Sequence, residues 1–251
     1  MEEKTGTRGA SRQMTMDQVL DLLGHGELET EGLLPWSSNY TFLATIAHNG
    51  TRNLVVYKPR SGERPLWDFP EGTLYLREVA TFVVSQALGW SYVPPTVLRD
   101  GPHGVGSVQL YIDADPEEHY FTLQDRFVDD FQHLAAFDYI INNADRKSGH
   151  CLLGTDGRIW AVDHGVTFHA LPKLRTVIWD FAGQPIPSSM LDDLEALRRR
   201  LAPGDPVENT LQLLLADDEL AALRRRVTDL LSSRLFPSPE PGRRHIPWPP
   251  V

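Results

Sequence analysis

Residues 142–165 read NNADRKSGHCLLGTDGRIWAVDHG. Two apolar runs, CLL at 151–153 and IWAV at 159–162, flank Asp156-Gly157. An Asp-Gly pair between apolar runs favours a tight hairpin, because glycine takes positive φ without steric cost. A two-residue turn there pairs residue 153 with 160, residue 151 with 162, and His150 with Asp163. Asp145 arrives from the loop just before. Polar groups gathered at the mouth of an apolar hairpin need compensation, since an unpaired carboxylate taken out of water is costly. A divalent cation bridging phosphates would satisfy His150 and Asp163 together and leave Asp145 free to orient an attacking hydroxyl. Those are the parts of a phosphoryl-transfer site. A salt-bridged loop using Arg146 and Lys147 is the plainer reading of the same residues.

A lysine upstream weighs between the two readings. The 24 basic residues include only four lysines: Lys4, Lys58, Lys147 and Lys173. Such arginine-rich usage fits a high-GC bacterial genome. Lys58 ends NLVVYK, an apolar strand in which lysine is rarely free. Twenty positions later Glu78 lies in TLYLREVATFVVSQALG (73–89), whose Leu76, Val79, Ala80, Val83 and Ala87 recur at helical spacing. Thr73 can cap that helix and Gly89 can end it. A strand lysine paired with a glutamate on the next helix holds ATP phosphates in kinases. A lysine snorkelling from a strand end is the bland alternative.

Around these residues the chain divides into halves of different character. Residues 1–13 are polar and expected to be disordered. MDQVLDLLGHG (16–26) reads as a short helix ended by glycine. TFLATIAH (41–48) and NLVVYK (53–58) flank Asn49-Gly50, a strong hairpin signal. TVLRDG (96–101) and GSVQLYID (106–113) read as two more strands. Helices are expected at FQHLAAFDYIIN (131–142), SSMLDDLEALRRRL (188–201), VENTLQLLL (207–215) and DDELAALRRRVTDLLSSRLF (217–236). The second of the four, at 188–201, has a serine and acid start and an arginine end, which suits the helix dipole. The arginine triplets at 198–200 and 224–226 read as solvated helix faces. The expected division is therefore a β-rich lobe at 14–113, a helical lobe at 114–236 carrying the catalytic loop and hairpin, and a proline-rich tail at 237–251. That tail, PSPEPGRRHIPWPPV, is either draped on the body or free to engage a protein partner.

Composition excludes several classes of function. Hydrophobic residues make up 41% of 251, enough for a sizeable core. No apolar run approaches the length of a membrane span. No leader-like segment opens the chain, and Cys151 stands alone, so a reducing cytoplasm is the expected setting. A net charge of −10 disfavours nonspecific binding to nucleic acid or anionic lipid. His164, His169 and Cys151 raise a zinc alternative, but their spacing is loose for a closed site.

FDYIINNADRKSGHCLL (137–153), followed by WAVDHGVTF (160–168), resembles the catalytic core of phosphatidylinositol 3-/4-kinases, and within them the type II phosphatidylinositol 4-kinases. VVYKP (55–59) is similar to their lysine strand and YLREVA (75–80) to their helix; the resemblance covers roughly residues 36–183. It implies an α+β, two-lobed protein-kinase-like fold, with a small β-rich N-lobe and a mostly helical C-lobe. It implies ATP in the cleft, held by Lys58 with Glu78 as its partner, and Asp145 and Lys58 as the catalytic pair. Asp163 and His150 would hold Mg2+ or Mn2+. The hinge facing adenine would fall near Leu110, Tyr111 and Ile112. PWSSN would stand in the place of the phosphate-covering loop, with Ser37, Ser38 and Asn39 as donors.

The pattern departs from the family in two ways. His150 stands where the family has asparagine, and magnesium prefers oxygen while imidazole suits manganese or softer ions. His150 thus shifts metal preference, serves only as a hydrogen-bond partner, or marks reduced activity. The cysteine-rich segment of the type II lipid kinases is missing as well. Lys173 and Arg175 follow DHG and are placed to meet a phosphate group, while Trp179 and Phe181 read as core. The reading is a kinase-like ATP-dependent phosphotransferase of unknown acceptor, transferring phosphate or AMP. A nucleotide-binding pseudokinase serving as an interaction module is the rival.

Overall fold

In the computed structural model, which describes residues 14–34 and 39–251, the Asn49-Gly50 pair closes a two-residue hairpin. Both residues take positive φ, 48° and 79°, so the turn has the twist that flanking strands require. It joins β2 (Phe42–His48) to β3 (Thr51–Pro59). With β1 (Glu27–Leu33), β4 (Thr96–Gly101) and β5 (Gly104–Leu110) they form one antiparallel sheet in the order β1-β2-β3-β5-β4. Helix α1 (Met16–His25) starts at a reciprocal cap between Thr15 and Gln18 and packs Val19, Leu22 and Leu23 against Ala44, Ile46, Val55, Tyr57 and Val108.

Strand β1 was not expected from the sequence. Its alternate residues Glu27, Glu29 and Glu31 face solvent, and the register against β2 shifts between Thr30 and Gly32. Charged, irregular edge strands resist pairing with other chains, and the same features hide them in a sequence.

Gly106 of β5 holds the register beside the site. A Cβ there would lie 2.4 Å from the Lys58 carbonyl and 2.7 Å from Pro59 Cα, both backbone atoms of β3. Gly106→Ala therefore forces the end of β3 away from β5. The expected cost is about 1–3 kcal/mol, read as a lower denaturant midpoint at constant slope; an unchanged midpoint would show that the strands separate freely.

Helix α2 (Leu74–Leu88) lies between the sheet and the helical body, touching β4 and β5 on one side and α5 (Ser188–Arg200) and α6 (Pro206–Gln212) on the other. Thr73 does not cap it: its hydroxyl donates to the Pro70 carbonyl, and the Tyr75 amide donates instead to Glu63 at 2.8 Å. A carboxylate brought from outside the helix thus replaces the expected local cap. Gly89 ends the helix as anticipated, at φ 73°.

The rest is helical: α3 (Tyr120–Leu123), α4 (Val128–Ile140), α5 (Ser188–Arg200), α6 (Pro206–Gln212) and α7 (Asp217–Ser233). Val84, Phe131, Leu134, Ile140, Met190, Leu194, Leu223 and Val227 belong to one core. The α+β, two-lobed arrangement expected from the sequence is the one observed. At α5 the expected serine and acid start does not cap: Pro187 is the N-cap residue and the first turn holds no acid. The 224–226 triplet corrects the solvated-face reading, since Arg224 pairs with Glu208 at 2.7 Å and Arg226 is buried. Arg198, Arg199 and Arg200 are exposed as expected.

Strands β6 (Cys151–Leu153) and β7 (Ile159–Ala161) form the anticipated small hairpin in a different register. Cys151 faces Ala161 and Leu153 faces Ile159, so the turn is longer than Asp156-Gly157 alone. Two forces lengthen it. The Asp156 carboxylate accepts the Arg158 amide and the Trp160 indole N–H, and Gly154 and Thr155 are drawn toward the strand-like segment at 113–115. The C-terminal tail is draped on the body: the Thr176 amide donates to the His245 carbonyl at 3.0 Å, and the Ser148 amide to Pro250 at 2.8 Å. Among the described residues no helix is long and apolar enough to cross a membrane.

Candidate active site

The site starts from the two-residue alternation of β3. Val55, Tyr57 and Pro59 are buried, and Val55 and Tyr57 pack toward α1, which turns Lys58 to the opposite face. There its ammonium donates to Glu78 Oε1 and, at 2.9 Å, to Asp163 Oδ1. Burial opposes the charge, but the Asp163 and Glu78 carboxylates outweigh it and hold the ammonium above the usual lysine range. Glu78 is itself buried, and its Oε2 accepts the backbone N–H of His164 at 3.1 Å. One carboxylate on α2 thus ties the lysine strand to the segment after β7. Asp163 takes a left-handed φ of 62°. Lys58 keeps its carboxyl well below the usual carboxylate range, against burial and with help from His150.

Asp145 is held from behind. Its amide donates to Asn143 Oδ1 at 3.0 Å, and Asn143 in turn donates to Asp138 at 3.0 Å. Burial pushes the Asp145 carboxyl up to about 6; the Lys147 ammonium, 3.4 Å from Oδ2, opposes that rise and Asp163 adds to it.

His150 Nε2 lies 3.4 Å from Asp163 Oδ2, so the two side chains meet as anticipated although the hairpin register differs. Burial pulls the imidazole down to about 4, making it neutral at pH 7. Its Nδ1 accepts the Lys147 amide at 3.4 Å, which places the single ring proton on Nε2, facing Asp163. Ligation through Nε2 would require the other tautomer and the loss of that amide bond. Of the three readings of His150, this geometry favours the hydrogen-bond partner. In this tautomer the pair offers a divalent ion carboxylate oxygen alone. Among the described residues no group of three or more His, Cys, Asp or Glu is arranged to hold a metal unaided. A hard cation that draws its other ligands from phosphates and water fits such a donor set.

Lys58, Glu78, Asp145, Lys147, His150 and Asp163 line one cavity of about 150 Å³, and Asn39 joins its wall. Asn39 Oδ1 accepts the Arg64 amide at 2.8 Å. Ser37 and Ser38 lie outside the described residues. Leu110, Tyr111 and Ile112 are outside this cavity's lining: Leu110 packs against the sheet core, and the Tyr111 amide donates to Leu54 at 3.1 Å.

Lys173 is paired with Asp68 at 2.7 Å and sits 5.3 Å from the Trp67 ring, so its charge is already compensated rather than open to a phosphate. Asn142 and Asn143 are both occupied in shaping loops; Asn142 donates to the His169 and Leu171 carbonyls and accepts the Lys173 amide. Phe181 is buried, as a core reading requires, whereas Trp179 is only half-buried and lines a cavity. Cys151 is fully buried and its thiol is pushed up to about 12, which makes it inert core.

Sequence reasoning missed the network beneath the site. Arg146 is fully buried and donates to both oxygens of buried Asp138, to the His150 and Val162 carbonyls, and toward His164 Nε2 at 2.7 Å. It fastens α4 to both ends of the β6–β7 hairpin. The available signal was Asp138, a carboxylate inside the apolar run FDYII.

The family model described as phosphatidylinositol 3- and 4-kinase matches residues 96–195, a span that includes Asp145, His150 and Asp163. Protein Rv2133c of Mycobacterium tuberculosis (strain ATCC 25618 / H37Rv) is 42% identical over 264 aligned residues, covering 91% of this chain and 94% of that one. Phosphatidylinositol 4-kinase gamma 4 of Oryza sativa subsp. japonica is 30% identical over 147 residues, covering 51% of this chain and 25% of its own length. Among solved structures, the Golgi casein kinase superposes with a TM-score of 0.51 at 17% identity, covering 87% of this chain and 76% of the other. That likeness speaks for the fold: a kinase-like pair of lobes.

Proposed function

This chain belongs to the phosphatidylinositol 3-/4-kinase-like family, and from that membership we propose that it is an ATP-dependent phosphotransferase acting on a hydroxyl of a protein or small molecule. The observation that carries the reading is a single side chain. The Lys58 ammonium bridges Glu78 and Asp163, and all three share a cavity with Asp145. A strand lysine, a helix glutamate and two aspartates converge there from four separate stretches of chain. Phosphoryl transfer needs little covalent chemistry from a protein, so positioning and charge neutralisation are the main tasks.

In this scheme Lys58 holds the phosphates of ATP, with Glu78 fixing its position. Asp163, with His150 beside it, would hold Mg2+ or Mn2+, and the ion would supply charge neutralisation. Asp145 accepts the proton of the attacking hydroxyl and aligns its oxygen. Lys147 stands 3.4 Å from Asp145 and offers a positive charge where the transferred group would pass. Transfer of AMP would use the same groups and is told apart by product mass.

The test joins binding to turnover. ATP with Mg2+, and separately with Mn2+, should raise the melting temperature. Lys58→Met should abolish that shift and slow phosphate transfer by roughly 100-fold or more. Equal thermal shifts in parent and Lys58→Met would remove the lysine from the phosphate site. One observation favours a second reading: the His150 tautomer, which turns an N–H rather than a lone pair toward Asp163. A nucleotide-binding pseudokinase would show the thermal shift with no product on any acceptor.

A further inference from the structure

A second cavity, of about 230 Å³, opens between α7, the 170–174 segment and the draped tail, and no residue lines both it and the lysine cavity. Its charges are unbalanced. Five basic side chains but only two carboxylates line it: Glu240 pairs with Arg243 at 2.9 Å, and Asp229 faces both Tyr139 and Arg226. Arg225 and Arg244 remain with no carboxylate partner among the described residues.

Arg226 sharpens the imbalance. It lines the same cavity at only 8% exposure. Its Nε donates to the Ile140 carbonyl at 2.7 Å, at the C-terminal end of α4, where a cation suits the helix dipole. That contact accounts for one side of the guanidinium. The Nη2 is buried with no hydrogen-bond partner. A buried charged donor left unmatched is costly, and a fork of guanidinium groups matches the geometry of an oxyanion.

We propose that this cavity binds the phosphate group of a small phosphomonoester, with Arg225, Arg226 and Arg244 as its ligands. Leu174, Trp179 and Pro237 also line the cavity, so whatever the phosphate is attached to is short where it packs against them. The volume is smaller than an ordinary drug-sized pocket, which limits the ligand to something smaller than a nucleotide. Asn142 and Lys173 line the cavity as well, and the Lys173 amide donates to Asn142, three positions before Asp145. A bound anion therefore rests against the segment that leads into the catalytic loop.

The test titrates glycerol 3-phosphate into the full chain by calorimetry, with vesicles containing phosphatidic acid as a parallel arm. Binding is expected in one arm, which identifies the source as a soluble ester or a lipid headgroup. It should weaken about tenfold or more in the double variant R225Q/R244Q, whose exposed or half-exposed arginines can be replaced without unfolding the chain; equal melting temperatures before ligand addition verify this. It should persist in K58M, which keeps this result separate from the fate of the lysine cavity. Binding in neither arm, binding indifferent to R225Q/R244Q, or binding lost in K58M would each overturn the assignment.

Discussion

Asp145→Asn should leave a folded chain that transfers phosphate roughly 1000-fold more slowly, within the 10²–10⁴ range of a positioned acid or base. The amide keeps the size of the side chain but cannot accept the proton of the attacking hydroxyl. The same substitution carries a stability signature that separates it from simple damage. The folded-state carboxyl lies at about 6, first because it is buried and then because of Asp163, while Lys147 pulls the other way. An unfolded aspartate titrates near ~3.9. Folding therefore favours the protonated form. The stability this contributes is present below about pH 4 and is lost as pH rises toward about 6. At pH 7 the ionised carboxylate is a burden on the fold, and removing it should leave the melting temperature equal or higher. Turnover by the parent should rise as pH climbs through about 6 and then level off, because the ionised form is the one that accepts a proton. A variant with parental turnover would end the proposed role. One that lost activity along with several degrees of melting temperature at pH 7 would point to structural damage instead.

The stability signature also shows what kind of residue a sequence can reveal. Lys58 stood out because a cation in an apolar strand is chemically odd, and the strand's two-residue period fixed which way it points. Glu78 followed from helical spacing, and Asn49-Gly50 from the need for positive φ. These are local rules, and the fold obeys them. The misses share a different origin. The β6–β7 register depends on how Gly154 and Thr155 engage the 113–115 segment, about 40 residues away in sequence. Thr73 looks like a cap in its local sequence, yet Glu63 supplies the cap from a distance. Lys173 has the sequence position of a phosphate ligand, yet Asp68 pairs with it. In each case a distant group competed for a hydrogen bond that local spacing had already assigned. His150 meets Asp163 despite the altered register because it sits one residue before β6, where a shift of one position still leaves the two side chains in reach.

The same distinction governs the other large effect, which lies beneath the site rather than in it. Arg146→Met should lower the unfolding free energy by about 3–5 kcal/mol, the range found when one member of a buried ion pair is removed. For a chain of this size that corresponds to a fall of about 10 °C in melting temperature. Arg146 and Asp138 are both fully buried, and the guanidinium reaches the carboxylate through Nε and Nη2 at 2.9 to 3.1 Å. Without it, Asp138 keeps only Asn143 and Thr176 as donors, the Val162 carbonyl loses its donor, and the His150 carbonyl keeps only the Val162 amide. Replacing both members should recover part of the loss, because a buried pair is costly mainly when half of it remains. Asp138→Leu combined with Arg146→Met should therefore melt above Arg146→Met alone. If the double variant instead melts lower by the sum of the two single effects, the residues act independently and the pair is not the fastener. The functional consequence separates the network from Asp145. Loosening Arg146 frees the His150 and Val162 ends of the hairpin together, so Asp163 loses its fixed position opposite Lys58. The double variant, though more stable than Arg146→Met, should not regain turnover, since a leucine at 138 cannot accept the Asn143 bond that positions the Asp145 amide.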